Sequence, residues 1–166
     1  MAPPPVDPDT DHVRGDGPRT LILYGDYADP HTRGAYRTVQ MLEAGRTPLR
    51  FVFRHLPNTE VHPDALAAAV ADEAAADQGR FWDMHDLLLA AQDALAKADL
   101  RGYAATLGLD TDRFRAEFAS DAQLAKITRD VRGALEAGAQ GTPALFVGEQ
   151  RLTSYDLDTV LAALSP

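Results

Sequence analysis

The sequence predicts one α/β domain, a central mixed β-sheet flanked by helices, with an all-helical subdomain inserted midway. Three observations predict it. Short apolar runs rich in strand formers lie near both ends of the chain, at 20–24, 50–54 and 144–147. Between the second and third runs, from about 62 to 138, the apolar residues recur at helical spacing. The order strand–helix–strand at the start then argues for a parallel pair with its crossover helix packed on the sheet.

Each element has local reasons. Residues 1–18 are rich in proline and charge and poor in apolar side chains, so they read as an extended arm; 19–166 read as the domain. Thr20-Leu21-Ile22-Leu23-Tyr24 reads as a buried strand. Asp29-Pro30 opens a helix, because Asp caps well and Pro suits the first helical position. That helix is expected to stop at Gly45. In the run 50–54, alternation puts Phe51 and Phe53 on one face. The alanine-rich stretch 65–77 reads as a solvated helix with one packed side, broken at Gly79. Phe81, Met84, Leu87 and Leu88 mark the packed face of the next helix. Leu100, Tyr103, Ala104 and Leu107 mark another, and Thr111 to Phe118 a short one after the Gly108 turn. Asp121 is the expected cap of a helix that Gly138 closes. After the 144–147 strand, 151–153 is the expected antiparallel partner, and 155–164 a closing helix.

Composition bounds the function. The chain has 166 residues, a net charge of −9 and no cysteine. A surface that binds nucleic acid needs clustered Lys and Arg, which this balance argues against. No apolar run approaches a membrane span, so direct membrane insertion is not expected. The first residues lack the basic and apolar regions of an export signal, which gives a cytoplasmic expectation.

Four stretches carry a family resemblance. They are Tyr24-Gly25-Asp26-Tyr27, the run from Phe51 through His55 to Pro57, the stretch Gln78-Gly79-Arg80-Phe81-Trp82-Asp83-Met84-His85, and Gly141-Thr142-Pro143. In this order and spacing the chain resembles the DsbA-like branch of the thioredoxin superfamily. The resemblance implies a thioredoxin-like sheet and a cis-proline loop at Thr142-Pro143. It also implies that Asp29-Pro30-His31-Thr32 occupies the place of a Cys-x-x-Cys pair. Val6 to Gly15 further resembles the lead-in of thioredoxin-like tails joined to some bacterial sodium/proton antiporters.

Thiol–disulfide exchange needs a sulfur nucleophile, and this chain has none. No intrinsic oxidoreductase activity and no catalytic residue is therefore expected. What remains is a groove beside Asp29, His31, Thr32, Thr142 and Pro143 that could take an extended peptide or a protein partner, by pairing with the Thr142 backbone. Asp29 can serve as a plain N-cap and can also mimic the charge of a thiolate. An alternative is a glutathione-dependent transferase or isomerase that uses Thr32 to hold the glutathione thiol. A third reading is a regulatory or structural tail of a transporter. Asp26, Asp29 and His31 are too few for a closed metal site, so no metal is expected. His55 and His62 are expected to serve packing or capping, and His85 and Trp82 the core.

Overall fold

A computed structural model of the chain describes residues 1–165; Pro166, the last residue of the expected domain range, lies outside them. Five strands form one sheet: β1 (His12–Arg14), β2 (Thr20–Gly25), β3 (Arg50–His55), β4 (Ala144–Val147) and β5 (Gln150–Arg151). Seven helices are described: α1 (Pro30–Ala44), α2 (Ala65–Ala76), α3 (Phe81–Ala90), α4 (Lys97–Thr106), α5 (Thr111–Phe118), α6 (Leu124–Glu136) and α7 (Leu157–Leu164). The spatial order is β1-β3-β2-β4-β5. β2 and β3 are parallel, in register from Thr20 opposite Arg50 to Gly25 opposite His55. The other three pairs are antiparallel.

Strand alternation divides the core into two layers. Leu21, Leu23, Phe51, Phe53, Leu145 and Val147 face one way, into a cluster shared with α1, α2, α3 and α7. Ile22, Tyr24, Val52, Ala144 and Phe146 face the other way, against Ala134 and Ala137 at the end of α6. Gly25 ends β2 where nothing larger fits. A Cβ there would lie 2.6 Å from Thr32 Cγ2 and 2.7 Å from Phe53 Cε2.

Several expectations need correction. The arm is not merely extended: its residues 12–14 form β1, the edge strand beside β3. α1 ends at Ala44 with Gly45 as its cap, as expected, and Arg46 beyond it adopts the left-handed conformation, with φ 57°. α2 is not a solvated helix, since every residue from 68 to 75 is buried. Alanine on all sides lets α3, α4, α5 and α6 pack against it. Asp121 does not cap α6, which starts at Leu124; the Leu124 N–H bonds to the Asp121 carbonyl in a preceding turn. β5 is shorter and earlier than the expected strand 151–153. α7 starts at Leu157 rather than 155, because Asp156 is the cap and accepts from the Thr159 N–H.

Candidate functional site

The end of β2, the end of β3 and the start of β4 lie at the same end of the sheet, because β2 and β3 are parallel and β4 runs against them. Three loops therefore emerge together: 26–29 before α1, 56–64 before α2, and 139–143 before β4.

In the first loop, Asp29 caps α1. Its Oδ1 accepts from the His31 N–H at 2.9 Å, and its Oδ2 accepts from the Thr32 N–H at 3.2 Å and the Thr32 hydroxyl at 3.1 Å. Thr32 Oγ1 in turn accepts from the Asp26 N–H at 3.1 Å. Asp29 and Thr32 are both buried. The hydroxyl that a glutathione thiol would need is thus enclosed and already donating to Asp29. His31 is exposed, and its Nδ1 sits 3.0 Å from the Tyr155 hydroxyl. The Gln92 amide holds the loop from below, donating to the carbonyls of Tyr27 and Asp29.

Asp26, fully buried, ties the first loop to the second. Its Oδ2 accepts from the Asn58 N–H and lies 2.9 Å from His62 Nδ1, while Oδ1 accepts from the Ala28 N–H. His62 therefore secures a loop through a side-chain hydrogen bond, where packing or capping was expected of it. The third loop carries a cis Thr142–Pro143 bond. Between the second and third loops and α6 lies a groove of about 520 Å³. Leu56, Pro57, Val131, Leu135, Gly141 and Thr142 line it. Leu135 is 63% exposed. No hydrogen bond among the described residues engages the Thr142 backbone. The structure thus brings Thr142 to the groove. Asp29, His31, Thr32 and Pro143 lie at the same end of the sheet but do not line it.

Behind α1 lies a polar cluster that the sequence reading missed. Tyr27 donates its hydroxyl hydrogen to Asp72, and its oxygen lies 2.7 Å from His85 Nδ1. Burial drives the Asp72 carboxyl well above its ordinary range, and Glu73 next to it adds to the shift. Burial also drives His85 well below the ordinary imidazole value, so its ring is held neutral. Glu73 behaves oppositely to Asp72. Burial alone would raise it, but hydrogen bonds from His12 and His55 outweigh burial and hold it ionised. The one available signal was the pair Asp72-Glu73 set inside a run of alanines, where two acids have no apolar reason to be.

A family model described as Thioredoxin matches residues 8–165. The chain belongs to the thioredoxin family. Its fold is DsbA-like. A thioredoxin-like oxidoreductase from Silicibacter pomeroyi DSS-3 superposes with a TM-score of 0.85 at 25% identity, over 95% of this chain and 91% of that one. BdbD from Bacillus subtilis superposes at 0.84 with 18% identity, over 98% and 94% of the two chains, a likeness of fold alone. Among curated proteins, Na(+)/H(+) antiporter NhaA 1 of Salinispora arenicola (strain CNS-205) is 49% identical over 164 residues, 97% of this chain and 25% of that protein. Na(+)/H(+) antiporter NhaA of Herminiimonas arsenicoxydans is 44% identical over 165 residues, 97% and 26%. This thioredoxin domain therefore spans about a quarter of the length of these curated relatives. No described helix is long and apolar enough to cross a membrane. With no cysteine, the domain holds no sulfur for exchange chemistry, and the start of α1 is closed by the Asp29 cap.

Proposed function

We propose that this thioredoxin domain is a redox-inactive binding module that takes an extended segment of a partner polypeptide. The partner would be a membrane transporter of the antiporter kind. The observation that carries the reading is the contrast between the two halves of the site. The half that would do chemistry is sealed, since Asp29 and Thr32 are buried and bonded to each other. The half that would hold a peptide is open. Its groove presents apolar Leu135 and a Thr142 backbone free to pair with an added strand. The near-complete coverage of this chain by one quarter of two antiporter-named proteins supports the choice of partner.

The test uses overlapping peptides that tile the soluble loops of the Salinispora arenicola relative, read by fluorescence anisotropy against the purified domain. At least one peptide is expected to bind saturably, and Leu135→Glu should weaken it by about tenfold or more, the equivalent of ~1.4 kcal/mol. Absence of binding across the set, or binding indifferent to Leu135→Glu, removes the proposal. A dithiol-oxidation assay on the same preparation should show no turnover, and turnover would overturn the redox-inactive part.

A further inference from the structure

The geometry points to a divalent-cation site of the zinc class at His12, His55 and Glu73. None of the three lines the groove of the proposed binding site, and the assignment does not rest on that reading. Three elements supply the donors: β1 gives His12, the last residue of β3 gives His55, and the middle of α2 gives Glu73. His12 Nε2 lies 2.8 Å and His55 Nε2 2.6 Å from the same carboxylate oxygen, Glu73 Oε1. All three donor atoms fall within 4.8 Å of one another.

The donor types choose the ion. Two imidazoles and one carboxylate suit Zn²⁺ and its first-row neighbours, whereas Ca²⁺ and Mg²⁺ want oxygen alone. Three protein ligands leave a fourth position for water or a small ligand. Zinc bonds of about 2.1 Å in a tetrahedron need donors about 3.4 Å apart, so Glu73 Oε1 must draw back from each imidazole by less than about 1 Å. Rotation of the Glu73 side chain supplies that. The cluster can also be reached. β1 is the edge strand, and the His12 side chain remains 17% exposed while His55 and Glu73 are nearly enclosed. The His12 ring is braced by stacking on Phe81 with ring centroids 3.5 Å apart. One feature limits the affinity. His55 Nδ1 has no hydrogen-bond partner among the described residues, so the orienting second bond common to zinc-binding histidines is missing there. The ion would pin the arm to the sheet and to the helical insert at one point.

The test needs only the metal as probe. The untagged chain, stripped with a chelator, is titrated with Zn²⁺ in competition with a chromogenic chelator, and with Co²⁺ while its visible absorption is followed. One equivalent of Zn²⁺ and the intense bands of a four-coordinate Co²⁺ site are expected. His12→Ala, at a partly exposed edge-strand position, should lower zinc affinity by more than the ~10–100-fold that even an outer-shell change brings. His62→Ala should leave it unchanged. Circular dichroism confirms that each variant is folded. Glu73→Gln is the second variant; if it fails to fold, His12→Ala and the Co²⁺ spectrum of the unaltered chain still decide. Less than one equivalent bound, a Co²⁺ spectrum of the free aqueous ion, or equal affinity in His12→Ala overturns the assignment.

Discussion

Asp29 commits both carboxylate oxygens to the first turn of α1, and Thr32 closes the cap with its hydroxyl. A cysteine thiolate at a helix start relies on the same backbone N–H groups and the same dipole. A carboxylate at a helix start uses that same electrostatics without any redox chemistry. Asp29→Ala should destabilise the domain by about 0.5–2 kcal/mol in urea unfolding, with an unchanged m-value. The Asn variant, which keeps an acceptor oxygen, should lose less. Equal stability of the Ala variant would mean that the cap is not formed in solution. This residue was legible because Asp-Pro before a helical pattern has a local cause. The His12, His55 and Glu73 cluster was not. His12 and Glu73 are 61 residues apart in the chain and His55 and Glu73 18 apart, and only the docking of β1 and α2 on β3 brings them together.

At the scale of the element, α2 shows how a correct helix can hide its surroundings. Its limits were readable from the alanine run and the Gly79 break, but its burial was not. A helix face is recognised by contrast between polar and apolar sides. Alanine on every side provides little contrast, and the two acids suggested solvent when they in fact face buried histidines and Tyr27. The same absence of bulk that blurs the pattern is what lets four helices approach α2. It follows that added volume should be resisted there. Ala74→Leu, at a position with no exposure, should cost about 1–3 kcal/mol through overpacking. Ala105→Leu, on the exposed side of α4, should stay within ~0.5 kcal/mol of the unaltered chain. A similar tolerance at both positions, measured by thermal unfolding, would show that α2 is not enclosed. The parallel pairing of β2 with β3 and the shared face of Phe51 and Phe53 were legible for the opposite reason. Phe51 and Phe53 alternate with Val52, and each strand between Gly and charged residues carries one strong pattern.

At the scale of the whole molecule, the arm is tied to the sheet by a residue that the domain proper cannot satisfy alone. Arg54 sits in β3 on the Val52 side of the sheet, with its side chain 4% exposed. All five of its N–H donors are used. Nε and Nη2 grip the two oxygens of Asp11 at 2.9 and 2.8 Å, Nη2 also reaches the Pro5 carbonyl, and Nη1 reaches the Pro4 carbonyl and the Tyr24 hydroxyl. Only Tyr24 belongs to the domain; the other acceptors belong to the arm. Sequence could not show this, because two of the acceptors are backbone carbonyls, which look alike at every residue. The arginine itself was the missed signal, since a cation in a buried strand requires a partner. Removing residues 1–11 therefore leaves the guanidinium with one protein acceptor, and should cost up to about 3–5 kcal/mol in urea unfolding, less where water reaches the uncovered group. Replacing Arg54 by Leu in the shortened chain should recover much of that loss, because an apolar side chain of similar reach needs no acceptor. If the shortened chain is as stable as the full one, the arm does not dock. If Arg54→Leu gives no recovery, the loss comes from β1 and its packing, and the arginine is not the anchor.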